Sequence, residues 1–235
     1  MYEGQTLLAV IPARAGSKGL PNKNILHCAG RPLIDWTIAA GLESKFIDQV
    51  IVSSDSKNIL DTAARFKECL PLARPCELAV DEADMVDVLD HAWQNCLNSA
   101  GEHFDYIVLL QPTSPLRTSL HIDEAIKFYF ERSHSETDTL ASVYLADKKN
   151  GWLMHLDNAN GYIKFCFDVV SSNPQRQQLN SYYFPNGAIF ILKACTVKKG
   201  LYRANTIPFM MANNESIDID NLEDFKAAEN LLLAR

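Results

Sequence analysis

The chain of 235 residues carries 22 Lys and Arg against 29 Asp and Glu, a formal net charge of -7, with 47% hydrophobic and 22% charged residues. That balance excludes a disordered chain, which lacks the apolar surface to offset its ordering entropy, and 10 Gly with 10 Pro excludes a collagen-like or low-complexity one. The acidic excess argues against a nucleic-acid partner, which needs a basic footprint. Locally the balance inverts: residues 1–34 hold Arg14, Lys18, Lys23 and Arg31 against Glu3 alone, a basic island suited to an anion.

Six dispersed cysteines without C-x-x-C spacing read as reduced thiols of a cytoplasmic chain. The apolar run near the N-terminus has no basic segment before it, so no signal peptide is expected. No apolar run approaches the roughly 20 residues of a membrane helix, so no membrane partner is expected either.

In chain order, the continuous apolar run Leu7–Ile11, closed by Pro12, predicts a buried strand. A Gly-, Pro- and Asn-rich basic loop follows, and then Pro32–Ser44 at helical spacing with Pro in the first turn. Gln49–Ser53 predicts a second strand and Ser56–Lys67 a helix; residues 68–82, broken by Pro71 and Pro75, are expected to be irregular. Met85–Leu97 is spaced as an amphipathic helix, Tyr106–Leu110 as a buried strand, and Thr118–Arg132 as a helix capped by Thr118 or Ser119. Thr139–Leu145 and Ala188–Leu192 predict strands. Between them, residues 147–183 are too long for a plain connector and are read as an inserted β-rich arm that meets a partner subunit or covers a site. Ile207–Met211 reads as a last short strand and Asn221–Ala234 as a C-terminal helix. The alternation predicts one α/β domain over residues 1–235, built on a mostly parallel sheet whose ligands bind beyond the strands' carboxyl ends.

Three loops at such ends carry chemistry. Ala13–Asn24 (ARAGSKGLPNKN) combines Gly16 and Gly19, which let backbone approach a ligand, with Ser17, Arg14, Lys18 and Lys23; it is a triphosphate-sized anion cradle, or else a solvated loop with three cations. It is neither a P-loop nor a dinucleotide fingerprint. Leu109–Arg117 (LLQPTSPLR) sets short hydrogen-bonding groups between two prolines, suited to a base edge or ribose. In Ser216–Asp220 (SIDID), an extended backbone would put Asp218 and Asp220 on one face, a natural Mg²⁺ pair; alternatively Asp220 caps the following helix with Glu223. Arg74 reads as a surface residue unless it returns to bound phosphates. The Ser53-Ser54-Asp55 run either caps the next helix or faces the site.

Together the stretches IPARAGSKGLPNKN (11–24), VIVSSD (50–55), RPCELAVD (74–81), LLQPTSPLRT (109–118), RQQL (176–179), PNGAIFI (185–191) and SIDIDNLEDF (216–225) resemble, in order and over nearly the whole chain, the acylneuraminate cytidylyltransferases, also called CMP-sialic acid synthetases. The resemblance implies a Rossmann-like nucleotidyltransferase fold with helices on both faces of the sheet and an inserted dimerisation arm. It implies transfer of CMP from CTP to the anomeric hydroxyl of a nine-carbon 2-keto-3-deoxy sugar acid. Carried over by position, Arg14, Ser17 and Lys23 would contact the triphosphate, with Lys23 and Arg14 counted as catalytic. Asn24, Arg74, Gln111, Thr113 and Ser114 would contact the nucleotide. Asp218 and Asp220 would hold Mg²⁺, Asp218 or Asp220 would help deprotonate the sugar hydroxyl, and Arg176 and Asn186 would lie near the sugar. A homodimer is implied. Bacterial members often carry a P-L-K segment in the arm, where this chain has Lys148–Leu153, so legionaminic and pseudaminic acids stand beside N-acylneuraminic acid as acceptors.

Overall fold

The structure, a computed structural model, describes residues 1–16, 19–100, 103–157, 162–166 and 180–235, with the backbone alone at 98–100, 151, 152, 163 and 165. Strand β1 (Leu7–Pro12) is followed by a two-strand hairpin, β2 (His27–Cys28) and β3 (Arg31–Pro32), which runs directly into α1 (Leu33–Leu42). Next come β4 (Gln49–Ser54), α2 (Lys57–Ala63), β5 (Cys69–Ala73), α3 (Met85–Ala100), β6 (Tyr106–Leu109), α4 (Ser119–Arg132) and β7 (Thr139–Leu145). A separate antiparallel hairpin, β8 (Met154–Asp157) with β9 (Tyr162–Phe165), precedes β10 (Tyr183–Lys193), β11 (Thr206–Met210) and α5 (Leu222–Leu233).

Seven strands form one sheet in the order β11-β7-β10-β6-β1-β4-β5. All neighbours are parallel except β10, which runs antiparallel to both β6 and β7. Every residue of β1 is buried, because both faces of this central strand are covered; hence its unbroken apolar run. Its side chains alternate with period two. Leu7, Ala9 and Ile11 meet Ile34 and Ile38 of α1, Ile59 of α2 and Ile122 and Ile126 of α4, while Leu8 and Val10 meet Val86, Leu89 and Cys96 of α3 on the other face. Helices thus cover both faces.

Two expectations change. Residues 69–73 are not irregular but form β5, with Pro71 inside it; the strand lies at the sheet edge, where one side needs no ladder partner and proline is tolerated. The helix expected over Ser56–Lys67 ends at Ala63. Thr118 caps α4 by accepting from the His121 amide. Of the expected arm, the β8–β9 hairpin and a 3₁₀ turn over Lys148–Trp152 are described; residues 167–179, which include Arg176, lie outside the described residues. Among the described residues no helix is long and apolar enough to cross a membrane, and all six cysteines are free thiols.

Candidate active site

The parallel strands β1, β4, β5 and β6 all end on one edge of the sheet, and the loops leaving them converge there. They enclose a cleft of about 290 Å³ lined by Pro12, Arg14, Gly19, Lys23, Asn24, Arg74, Met85, Gln111, Pro112, Thr113 and Asp220. Seven of the residues expected to contact nucleotide or metal therefore share one cavity.

The first loop is fastened by its own backbone. The Ala13 amide donates to the Ser53 carbonyl (2.9 Å) and the Ala15 amide to the Asp55 carboxylate (2.9 Å), so Asp55 holds the first loop to the end of β4. The Asn24 carboxamide donates back to the Arg14 carbonyl (3.2 Å), so Asn24 ties the loop down as well as bordering the cleft. Lys23 opens a 3₁₀ turn (Lys23–Ile25) after Asn22, which adopts the left-handed φ of 55°. Its side chain is buried, donates to the Ile219 carbonyl and lies 3.4 Å from Asp220. Arg14 pairs with Asp81 at 2.5 Å. Ser17 lies outside the described residues.

Arg74 is not a surface residue. It is buried at the end of β5, with its Nε donating to the Ser53 hydroxyl (3.1 Å) and a terminal nitrogen to the Ser53 carbonyl (2.7 Å). Burial lowers its pKa and the nearby Arg14 charge adds to that, while Asp55 opposes. Two guanidiniums and the Lys23 ammonium thus border one cleft, as an anionic ligand requires.

A second cleft, of about 520 Å³, is lined by Tyr144, Phe184, Pro185, Asn186, Asn213, Ser216, Ile217, Asp218 and Asp224. The Ser216–Asp220 segment contributes to both clefts. It joins no strand of the sheet. Instead Ile219 is buried among Leu33, Leu116, Phe225 and Leu232, and its amide donates to the Thr113 carbonyl (2.9 Å). Anchoring Ile219 turns Asp220 toward the first cleft and Asp218 toward the second. Helix α5 is capped by Asn221, which accepts from the Glu223 and Asp224 amides, so Asp220 is not the cap.

The Asp218 carboxyl is pushed above its ordinary pKa, chiefly by the protein packed around it and also by Asp220; a hydrogen bond from Thr113 and the Lys23 charge oppose. Among the described residues no three His, Cys, Asp or Glu side chains gather as a metal site. Asp220 borders the first cleft and Asp218 lies near enough for their charges to repel, a pair that nonetheless fits Mg²⁺, which takes one or two carboxylates and completes its shell with phosphate oxygens and water.

Two expected contacts are spent inside the fold. The Ser114 hydroxyl is fully buried and donates to the Asn186 carbonyl (2.9 Å), so it does not face the nucleotide cleft. Asn186 borders the second cleft, but its carboxamide is buried: the oxygen accepts from the Ser142 hydroxyl (2.5 Å) and the Ala188 amide (3.1 Å), and the nitrogen donates to the Ser216 hydroxyl (2.9 Å). Through Ser216 it ties the segment leading to Asp218 to β10. Tyr144, Asn213 and Asp224 were not legible as site residues, because only the fold brings β7 and the segment after β11 together.

A family model described as Cytidylyltransferase matches residues 8–226. Among curated proteins, the chain is 36% identical over 224 residues to the N-acylneuraminate cytidylyltransferase of Streptococcus agalactiae, covering 93% of this chain and 51% of that protein. It is 35% identical to the CMP-N,N'-diacetyllegionaminic acid synthase of Legionella pneumophila, covering 96% of both, and 28% identical to the pseudaminic acid cytidylyltransferase of Campylobacter jejuni, covering 95% of both. The chain thus spans about half the length of the N-acylneuraminate relative from Streptococcus. Among solved structures, a CMP:2-keto-3-deoxy-manno-octonic acid synthetase complexed with CTP superposes with a TM-score of 0.73 at 14% identity, over 98% of this chain and 99% of that one, which shows the shared fold. The chain belongs to the cytidylyltransferase family, to which the acylneuraminate enzymes it resembles also belong.

Proposed function

We propose that the protein activates a nonulosonic acid with CTP, giving the CMP-sugar and pyrophosphate, and that N-acylneuraminic acid is the first acceptor to test, with legionaminic and pseudaminic acids beside it. The observation that carries this reading is the cleft at the strands' carboxyl ends bordered by Arg14, Lys23 and Arg74, with a second cleft across the Asp218–Asp220 segment. The triphosphate suits the first; the second, lined by Tyr144 and Asn213, suits the sugar's hydroxyls, with Arg176 proposed near the sugar as the resemblance implies.

In this arrangement the sugar's 2-hydroxyl oxygen attacks the α-phosphorus, the bond from that phosphorus to the β-phosphate's bridging oxygen breaks, and pyrophosphate leaves. Lys23 and Arg14 stabilise the charge that develops on the transferring phosphate, the dominant contribution in such reactions. Arg74, Asn24, Gln111 and Thr113 border the nucleotide. The hydroxyl proton leaves toward the carboxylate of Asp218 or Asp220, which border the two clefts. Asp218 and Asp220 would hold Mg²⁺, which supplies neutralising charge to the triphosphate when bound.

A homodimer is part of the proposal, supported by the exposed apolar side chains Leu153, Met154, Leu156 and Tyr162 on the arm. A reducing, cytoplasmic setting is supported by the free thiols. Pyrophosphate release measured with CTP, Mg²⁺ and a panel of N-acetylneuraminic, legionaminic, pseudaminic and eight-carbon 2-keto-3-deoxy acids tests the reading. Release with a nine-carbon acid supports it; no release with any of them overturns it.

A further inference from the structure

Arg117 is among the largest fully buried side chains of the protein, at 2% exposure, and no carboxylate pairs with it among the described residues. One terminal nitrogen donates to the Gln111 carbonyl (3.1 Å) and the Ala188 carbonyl (3.0 Å); its Nε and other terminal nitrogen are buried without a partner. Burying a guanidinium this way costs stability, and an apolar side chain of similar volume would fill the space more cheaply. The cost therefore points to what the two carbonyl contacts accomplish.

Those carbonyls belong to different parts of the fold. Gln111 leaves the end of β6 and lines the first cleft. Ala188 lies in β10 where its pairing with β7 shifts register between Pro185 and Phe190. The same irregularity holds Gly187 at a φ of +69°, where a Cβ would stand 2.2 Å from the Gln111 side-chain oxygen and 3.7 Å from an Asp218 carboxylate oxygen. The Gln111 carboxamide thus lies across Gly187 on the side of Asp218, at the junction of the two clefts.

We propose that Arg117 is a positioning residue that acts through Gln111: by binding the Gln111 and Ala188 carbonyls together, it holds the Gln111 carboxamide over Gly187 between the two clefts. Its kinetic consequence rests on the proposed cytidylyl transfer; its structural one does not.

The test uses the full chain with Arg117→Met, Arg117→Lys, Gln111→Ala and the double variant Arg117→Met/Gln111→Ala. In isotope-labelled protein, the side-chain amide signal of Gln111 is identified by its loss in Gln111→Ala. It should shift in Arg117→Met and shift less in Arg117→Lys, which keeps the charge; an unchanged signal in folded Arg117→Met overturns the proposal. In turnover, Arg117→Met should lower kcat/KM at least tenfold in the native background and less than twofold in the Gln111→Ala background. Equal losses in both backgrounds, the result for a merely structural residue, also overturn it. If Arg117→Met does not fold, Arg117→Lys carries both measurements. A wild-type protein with no turnover would count against the proposed function, and the Gln111 signal would still decide the role of Arg117.

Discussion

Gly19 and Asp220 approach so closely that a Cβ on Gly19 would stand 2.0 Å from the Asp220 carbonyl oxygen. That oxygen is backbone and cannot swing away as a flexible side chain could. The first loop is thereby pressed onto the segment that divides the two clefts, and Lys23 reinforces the contact through the Ile219 carbonyl. Gly19→Ala must push the two apart. It should lower kcat/KM for CTP at least about tenfold, roughly 1.4 kcal/mol of transition-state stabilisation. Gly16, which opens on free space, should leave the melting temperature of the nucleotide-free protein unchanged when replaced by Ala. Native kinetics in Gly19→Ala would show that loop and segment do not act as one.

Lys23→Gln removes the buried ammonium at the same boundary. In the proposed reaction it stabilises the developing charge, so its loss should fall on kcat, by about 10²–10³-fold. Steady-state pyrophosphate release reads this; a kcat within threefold of native would remove Lys23 from the chemistry.

Asp218→Asn and Asp220→Asn each take one carboxylate from the proposed Mg²⁺ pair. Both should raise the Mg²⁺ concentration needed for half-maximal turnover, and chelation should abolish turnover of the native protein without lowering the melting temperature of its nucleotide-free form. Turnover that persists under chelation would contradict a metal-dependent site.

The sheet was legible in the sequence where physics leaves a strong local mark. The buried strands β1, β4 and β6 are apolar runs because both of their faces are covered, and the basic first loop shows its cations openly. β5 was missed because Pro71 reads as a breaker, and only its edge position makes proline acceptable there. Ser114 and Asn186 are residue types that read as ligand contacts, yet their polar atoms are consumed in the fold, which no local pattern reveals. Arg117 is the converse: an arginine at a loop end reads as solvated, and only the packing of β10 against the Gln111 loop buries it. Asp220 borders the first cleft and Asp218 the second, on either side of the buried Ile219, an arrangement only the fold reveals.

His91, on α3, has a ring nitrogen buried without a partner. Burial lowers its pKa, the Arg74 charge lowers it further, and Asp90 opposes. The folded protein therefore binds this proton less tightly than the unfolded chain, in which histidine titrates near about 6.5. The associated stability is fully present above that pH and is lost as pH falls through the folded value. His91→Asn should flatten the decline in melting temperature between about pH 7.5 and 5 relative to the native protein. An identical decline in both would show that His91 is not the group responsible.

In the proposed reaction the α-phosphate of CTP passes to the sugar acid at the boundary between the two clefts. CTP labelled at its α-phosphate, incubated with the protein, Mg²⁺ and a nine-carbon 2-keto-3-deoxy acid, tests this most directly. The label should appear in the CMP-sugar, with unlabelled pyrophosphate released in equal amount. Label found only in free CMP, or left in CTP, would contradict the account.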